Sequence, residues 1–255
     1  ESRLLGDLTD GNETFEIKGV DADTIAIRAP GLEDGEVFQE YDVSPNGKVI
    51  IKAGAGNDTV TVVPGGAPIS VNFEVEGGLG NDRFDFGLVT GSVVVRGDEG
   101  NDTITSGSGS DVLFGGAGND SLLSGGGSDI VFGDPTDFAG PALVETNGDG
   151  VGDSPVLNLV AKSVATDGND FIDGGDMSDI LFGGGGTDEI HGGGASDIVI
   201  GDGGRVVAIV DNVDDGNVQW TGIGNFEVSR TDRGSAGDTL LGDDGPDRIY
   251  GGPDN

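Results

Sequence analysis

The sequence predicts an all-β fold, a right-handed parallel β-roll or β-helix solenoid in which short strands alternate with glycine-rich turns. Glycine and aspartate recur at fixed offsets among valine, isoleucine, leucine and phenylalanine, and the recurring unit is nine residues long. Its pattern is G-G-x-G-x-D-x-U-x, where U is a large apolar residue, and its positions are numbered 1 to 9 below. Units this short cannot bury an apolar residue alone, so they must stack on their neighbours.

The nonapeptides fill three blocks of the chain. Residues 97–132 and 165–200 each hold four copies, and 233–255 begins a third block. Two further copies start at Ala53 and Gly77. Inserts of 32 residues separate the blocks, so a second period of 68 residues is superimposed on the first. This regularity favours a tandem array, and we expect the chain to be a section of a larger protein.

The segments outside these blocks are also predicted to be β-rich. Residues 1–96 should form a parallel β-helix with looser repeats and longer strands, and FEIKGVDADTIAI from Phe15 looks like a degenerate copy with Asp23 at position 6. The inserts, 133–164 and 201–232, contain β-rich stretches such as Arg205 to Val210. We expect them to form hairpins or extended coils on the same stack.

Position 8 predicts the core. Strand alternation sends this residue to one face and its two neighbours to the other. It is apolar in every copy, and the column consists of Val60, Phe84, Ile104, Leu113, Leu122, Val131, Ile172, Leu181, Ile190, Val199, Leu240 and Ile249. Each 18-residue coil then buries two side chains, which stabilises it by a few kcal/mol. Ordering the chain costs about 1 kcal/mol of conformational entropy for every residue. Burial alone should therefore not fold the roll.

The turns predict the missing stabilisation, which is bound calcium. Glycine permits positive φ, so that carbonyl oxygens turn inward, and the position-6 aspartate adds a carboxylate. Hard oxygen ligands in a flexible arrangement suit Ca²⁺ better than Mg²⁺ or a transition metal. The predicted ligands are Asp58, Asp82, Asp102, Asp111, Asp120, Asp129, Asp170, Asp179, Asp188, Asp197, Asp238 and Asp247, with position-4 glycines Gly100, Gly109, Gly118, Gly127, Gly168 and Gly186.

These nonapeptides resemble the hemolysin-type calcium-binding repeats of the repeats-in-toxin (RTX) family. The resemblance implies that the first six residues of each copy bind metal and that the last three form a strand. It also implies that each ion lies between turns n and n+2. Asp102 would then share an ion with the turn of Asp120, and Asp111 with that of Asp129. The same reasoning pairs Asp170 with Asp188 and Asp179 with Asp197.

Some turns depart from the pattern. Met177, Ala195 and Ala236 replace the position-4 glycine, and Asp98 and Asp243 replace the position-2 glycine. We expect strain in these turns, or weaker sites.

Composition excludes several classes of function. Asp and Glu number 47 against 12 Lys and Arg, and the formal net charge of −35 leaves no basic stripe for nucleic acid. The chain has no cysteine, which excludes disulfides and thiolate zinc sites. No apolar run approaches the roughly 20 residues of a membrane span. The single histidine, His191, ends a strand, and a surface role fits it better than catalysis.

The leading functional hypothesis is a calcium-folded structural or spacer section of a large extracellular bacterial protein, such as an adhesin, matrix, surface-layer or filament component. No catalytic role is expected. The resemblance implies type I secretion, followed by folding outside the cell, and association with the cell surface is a further hypothesis. The alternative is a calcium-binding appendage of a secreted protease, lipase or epimerase. End-to-end or lateral self-association is a further hypothesis, and the sequence does not specify a host-surface or matrix ligand.

Overall fold

A computed structural model describes residues 3–5, 11–21, 23–29, 37–43, 47–134, 142–144, 154–160, 168–202, 204–209, 213–214, 217–218, 226–230 and 238–251. Every regular element in these ranges is a β-strand. The described residues contain no helix that is long and apolar enough to span a membrane. The strands are β1 (Arg3–Leu5), β2 (Thr14–Gly19), β3 (Thr24–Arg28), β4 (Gln39–Asp42), β5 (Lys48–Ala55), β6 (Thr59–Val62), β7 (Asn72–Leu79), β8 (Arg83–Asp85), β9 (Val93–Glu99), β10 (Thr103–Thr105), β11 (Val112–Ala117), β12 (Ser121–Leu123), β13 (Ile130–Phe132), β14 (Ala142–Val144), β15 (Ser154–Val160), β16 (Phe171–Asp173), β17 (Ile180–Phe182), β18 (Glu189–His191), β19 (Ile198–Ile200), β20 (Gly204–Ile209), β21 (Val213–Asp214), β22 (Asn217–Val218), β23 (Phe226–Arg230), β24 (Thr239–Leu241) and β25 (Arg248–Tyr250).

Two long sheets form the roll. The first sheet has nine strands in the order β1-β5-β7-β9-β11-β13-β17-β19-β25, and all its pairings are parallel. The second sheet has ten strands in the order β24-β18-β16-β12-β10-β8-β6-β2-β3-β4, and its pairings are parallel as far as β2. From β5 to β12 the chain alternates between the two sheets, one strand in each per coil. The predicted parallel roll is confirmed.

The position-8 residues lie between the two sheets. From Val60 to Val199 each of them is completely buried, at 0% exposure. Leu240 packs against this core while remaining partly exposed, and Ile249 is 45% exposed. No further described coil covers these last two residues, so the predicted column holds except at its C-terminal end.

The N-terminal part has longer strands, as predicted. β5 and β7 have eight residues each, and β9 has seven, whereas most later strands have three. The longer strands bury more apolar surface, including Phe73 and Phe86, whose ring centroids are 5.1 Å apart. This part of the roll therefore has a larger hydrophobic core in each coil.

The degenerate repeat predicted around Asp23 is an antiparallel hairpin instead. β2 pairs with β3 so that Ile17 lies opposite Ile27, and β3 pairs in turn with β4. Only four residues connect β2 and β3, too few for the six-residue turn of a repeat. Asp23 is exposed at this turn, where its N–H donates to Asp21 Oδ1.

The two inserts pair with each other. β14 and β15 of the first insert and β20 and β23 of the second form a four-stranded antiparallel sheet in the order β14-β15-β20-β23. The short hairpin of β21 and β22 lies between β20 and β23 in the sequence. The β-rich character predicted for the inserts is confirmed, and their mutual pairing is a new feature that we call the insert sheet.

Candidate metal centres

The glycine-aspartate turns lie in two columns along the roll. In the first column the turns lead from the first sheet to the second, and their position-6 residues are Asp58, Asp82, Asp102, Asp120, Asp170, Asp188 and Asp238. In the second column the turns lead back, and these residues are Asp111, Asp129, Asp179, Asp197 and Asp247. Neighbours within a column belong to repeats n and n+2, so the structure brings together the pairs of turns that the family resemblance implied.

One oxygen of each aspartate connects two coils. Asp120 Oδ1 accepts a hydrogen bond from the backbone N–H of Asp102 at 2.7 Å, and Asp129 Oδ1 accepts one from Asp111 at 2.8 Å. The same bond repeats along both columns with lengths of 2.6–3.1 Å. These ladders continue across both inserts, since Asp120 bonds to Asp170 and Asp188 to Asp238. Each ladder therefore connects successive coils along its side of the roll.

The second carboxylate oxygen has no hydrogen-bond donor although it is excluded from solvent. Among the described residues this holds for the Oδ2 atoms of Asp58, Asp82, Asp102, Asp111, Asp120, Asp129, Asp179, Asp188, Asp197 and Asp238. A buried carboxylate oxygen without a donor or counter-charge is strongly destabilising. Its repetition along both columns indicates that a cation completes each turn.

Backbone carbonyl oxygens lie beside these atoms. The position-1 glycine marks the place, because a Cβ atom on Gly97 would lie 2.1 Å from Asp102 Oδ2 and 2.5 Å from the carbonyl oxygen of Gly115. In the second column a Cβ atom on Gly174 would lie 2.7 Å from Asp179 Oδ2 and 2.5 Å from the carbonyl oxygen of Gly192. Acceptors from two successive coils therefore converge where a side chain has no room. That donor set fits Ca²⁺, which coordinates carboxylates and carbonyls together.

Each turn contributes one aspartate of this kind. In the part of the chain that the structure describes, no three acidic or histidine side chains gather at one point as a side-chain metal cluster would. The remaining oxygens of the proposed sites are backbone oxygens. The assignment of individual ligands stays a prediction.

Burial raises the pKa of these aspartates. The side chains lose hydration, which disfavours the carboxylate form, and like charges in adjacent turns add to the effect. The pKa rises to about 6 for Asp58, Asp111 and Asp197, to about 7 for Asp102 and Asp120, to about 8 for Asp129 and Asp188, and to about 10 for Asp179. A divalent cation between the turns would supply the charge that keeps these groups ionised.

The turn backbone explains the departures from the repeat pattern. Gly100 at position 4 has φ 137°, and Gly116 at position 2 has φ 113°. At the same positions Asp98, Met177, Ala195 and Asp243 have φ of 76°, 74°, 77° and 58°. They are the non-glycine residues with positive φ in the described ranges. The predicted strain is confirmed at these four positions, while Ala236 lies outside the described residues.

Two predicted position-4 glycines differ from the others. Gly109 and Gly168 do not have positive φ. They are still tightly packed, since a Cβ atom on Gly168 would lie 1.7 Å from the carbonyl oxygen of Gly118. These two positions require glycine for close approach between coils.

One turn residue was missed by the sequence analysis. The N–H of Glu13 donates to Asp58 Oδ1 at 2.6 Å, and β2 pairs with β6 so that Phe15 lies opposite Val60. Glu13 is buried and so occupies position 6 of an earlier coil. The signal was present in G-N-E-T-F, which matches the G-N-D-T-V of the next copy with glutamate replacing aspartate.

The coil continues into each insert by two residues. A Cβ atom on Gly133 would lie 2.2 Å from Asp170 Oδ2, so Gly133 serves as position 1 of the turn that ends at Asp170. Asp134 follows at position 2, where its Oδ1 accepts from the N–H of Gly168 at 3.0 Å and its Oδ2 from Gly185 at 2.6 Å. Asp134 therefore holds the two ends of the first insert together. Gly201 lies against Asp238 Oδ2 in the same way.

An asparagine ladder runs on the exposed side of the first column. The N–H of Asn81 donates to Asn57 Oδ1, that of Asn101 to Asn81 Oδ1 and that of Asn119 to Asn101 Oδ1, at 2.7–2.8 Å. These bonds point in the opposite direction to the aspartate bonds. Both ladders maintain the register of one coil upon the next.

His191 lies on the outer face of the second sheet. Its ring nitrogens lie 3.2 Å from Glu189 Oε1 and 3.3 Å from Asp243 Oδ2. Hydrogen bonding to Glu189 raises the pKa of His191. These neighbours are both acidic, and the histidine fits the surface role predicted for it.

Comparison with known families agrees with the turn geometry. The family model of the RTX calcium-binding nonapeptide repeat matches four stretches of the chain, residues 46–62, 96–131, 173–206 and 232–255. These stretches of the chain are RTX calcium-binding repeats. No curated protein and no solved structure matches the chain significantly. Its RTX repeats make this a calcium-binding region, and RTX proteins are typically exported by type I secretion.

Proposed function

We propose that this chain is a calcium-dependent structural section of a large extracellular protein, in which its coils form a spacer. The observation that carries the proposal is the pair of continuous aspartate ladders. In most turns the carboxylate bonds to the adjacent coil through one oxygen, while the other is buried without a donor beside a backbone carbonyl oxygen. Calcium bound there would connect every coil to its neighbours.

A repeated structure of this kind adds length and surface rather than one reaction centre. The period of 68 residues supports a structural role, because each period repeats the same coils and an insert of the same length. The family's typical export by type I secretion is consistent with an extracellular location, where calcium is abundant. The coils with short strands would then remain unfolded where calcium is scarce and fold after export.

Calcium titration tests this proposal. CaCl₂ is added to the EDTA-treated chain while far-UV circular dichroism is recorded, with MgCl₂ as the control. We expect a cooperative gain of β-structure at about 0.1–1 mM Ca²⁺, the range of extracellular sites, and little gain with Mg²⁺. A chain that is fully folded in EDTA and unchanged by calcium would overturn the proposal.

A matched pair of variants tests whether the calcium-induced gain of β-structure depends on the turns. Asp179 and Asp176 belong to the same turn, but Asp179 is buried with its Oδ2 among acceptors, whereas Asp176 is exposed. Both substitutions, Asp179→Ala and Asp176→Ala, remove one negative charge. Asp179→Ala should raise the calcium midpoint several-fold, and Asp176→Ala should leave it nearly unchanged. Equal shifts would mean that only overall charge matters.

A further inference from the structure

Part of the outer face of the first sheet is apolar and buried. In β11, β13, β17 and β19 the position-8 residue faces the interior, so its neighbours at positions 7 and 9 lie on the outer face. Most of these neighbours are large apolar residues with 0–7% exposure: Phe114, Ile130, Phe132, Ile180, Phe182, Ile198 and Ile200. Phe132 stacks between Phe114 and Phe182, with ring centroids 5.4 and 4.7 Å apart.

The second sheet differs at the same positions. Its outer face carries Thr103, Thr105, Glu189 and His191, and its apolar exceptions remain accessible, since Phe171 is 36% and Leu241 41% exposed. An outer face with large apolar residues at 0% exposure requires a covering layer. The four strands of the first sheet that are buried on both faces thus form a docking surface that the second sheet lacks.

The backbone register of the insert sheet defines a matching apolar face. Leu157 lies opposite Ala208, which lies opposite Phe226, and Leu159 lies opposite Val206, which lies opposite Val228. Leu143 lies opposite Pro155 and shares this face, which ends at Gly204 and Arg230. The other face has polar residues among apolar ones and includes Ser154, Asn158, Arg205, Glu227 and Ser229.

The dimensions of the two layers agree. The inserts leave the roll directly after β13 and β19, two strands of the first sheet that are separated by β17. Their exit points are therefore two strand spacings apart, about 9.5 Å. Each insert contributes two strands to the insert sheet, which adds the same width. Four insert strands thus match the width of β11, β13, β17 and β19.

We propose that the insert sheet packs through its apolar face on the outer face of the first sheet, as a third layer that covers β11 to β19. Each 68-residue period then contributes two coils to the roll and two strands to this layer. The roll and the third layer each lengthen by two strand spacings per period. The third layer therefore stays in register with the roll however many periods follow one another. The inserts are therefore structural parts of the array rather than appended loops.

Cysteine accessibility tests this packing in the full chain, which has no cysteine of its own. Ile180→Cys places one thiol on the docking surface, and Glu189→Cys places one at the same repeat position on the exposed second sheet. In excess calcium, maleimide should label the Ile180→Cys thiol more slowly than the Glu189→Cys thiol by on the order of a hundredfold, since labelling requires local opening. Equal labelling rates would overturn the proposal.

Two adjacent valines of β20 provide the matched control. Val206 lies on the apolar face of the insert sheet and Val207 on the other face. In the Ile180→Cys background, Val206→Asp should accelerate labelling about tenfold or more, because a charge would have to be buried between the layers. Val207 lies opposite Glu227, and Val207→Asp should change the rate much less, because its charge is not buried between the layers. If the two substitutions have the same effect, the assignment of the faces is wrong.

A deletion variant provides a second readout. Removing residues 135–166 and 203–234 joins the turns as G-D-D-G-N-D and G-D-S-A-G-D, which continue the repeat. We expect this variant to gain β-structure with calcium while its Ile180→Cys thiol is labelled at nearly the Glu189→Cys rate. Continued protection of the thiol in the folded variant would show that another segment covers the surface.

Discussion

At the scale of single residues, the position-6 aspartates use their two carboxylate oxygens differently. Oδ1 accepts a backbone N–H from the preceding coil, as Asp120 does from Asp102 at 2.7 Å. Oδ2 is buried without a donor in most turns, beside a carbonyl oxygen of the next coil. The same residue that aligns the coils thus makes the metal-free roll unfavourable, because desolvated negative oxygens accumulate along both columns.

The raised pKa values of these residues predict an unusual pH dependence. A carboxyl whose pKa is higher in the folded than in the unfolded chain favours folding when protonated, and this stabilisation is lost as the pH rises through the folded value. With folded pKa values of about 7 for Asp102 and about 8 for Asp129, the EDTA-treated chain should gain β-structure as the pH falls from about 9 to 4. Circular dichroism against pH in EDTA checks this.

Folding driven by calcium should show the opposite pH dependence. Protons compete with the cation for the same carboxylates, so the calcium midpoint should rise as the pH falls through this range. A metal-free chain whose β-structure decreased on acidification would contradict the burial of these groups.

The strained turns predict stabilising substitutions. Met177 and Ala195 have φ of 74° and 77°, where a side chain costs about 1 kcal/mol relative to glycine. Met177→Gly and Ala195→Gly should therefore raise the thermal midpoint of the calcium-loaded chain by a few degrees. Differential scanning calorimetry measures the change.

The reverse substitution should be destabilising only where the backbone demands glycine. Gly100 has φ 137°, and a Cβ atom there would lie 1.6 Å from the carbonyl oxygen of Gly80. Gly126, in contrast, lacks positive φ, and its nearest neighbour would be 3.8 Å away. Gly100→Ala should lower the midpoint strongly, and Gly126→Ala should change it little. Equal decreases in the thermal midpoint would show that the two positions do not differ in their requirement for glycine.

At the scale of strands, the number of buried apolar side chains determines how much each coil depends on metal. β5 buries Val49, Ile51 and Ala53, whereas β16 buries only Ile172. Strands that bury more apolar side chains remove more apolar surface from water, so they rely less on ions between the turns. The chain should therefore contain a graded series of stabilities along one axis.

Hydrogen exchange in EDTA tests this gradient. The amides of β5 and β7 should remain protected while those of β16 and β18 exchange rapidly, and calcium should protect all four strands. Mass spectrometry of peptides from each strand gives the comparison. Simultaneous loss of protection in all four would contradict the gradient and indicate one cooperative unit.

At the scale of the whole molecule, charge opposes compaction. The formal net charge of −35 repels itself in any folded state, and each bound calcium offsets two charges. About eight ions would offset about sixteen charges and at the same time connect the coils. The proposed dependence on calcium thus follows from the composition.

Small-angle scattering should show this effect. An unfolded chain of this length has a radius of gyration of about 55 Å, against about 18 Å for a compact one. In EDTA we expect an intermediate value, because the N-terminal coils keep their core, and calcium should reduce it. Raising NaCl to about 1 M in EDTA should also reduce it, since the screening length falls to about 3 Å. MgCl₂ at equal ionic strength should reduce the radius of gyration only as much as NaCl does.

Much of this architecture could be predicted from local patterns. The nine-residue period specified the turns and the buried column from Val60 to Val199, because both depend on residues close in sequence. The resemblance to the RTX family implied the pairing of turns n and n+2. The Asp23 prediction was wrong because a four-residue connection folds back as a hairpin, and Glu13 was missed because glutamate replaces aspartate there.

The sequence by itself determined that this chain is a parallel roll with carboxylate-rich turns, and it predicted that folding depends on calcium. Those properties follow from composition and periodicity. Only the tertiary structure decided that the aspartate ladders continue across the inserts, that Asp134 joins the ends of one insert and that the inserts pair with each other. Such contacts join residues up to 53 positions apart, as Val156 and Ile209 are, and no repeat within one segment records which distant segment lies beside it.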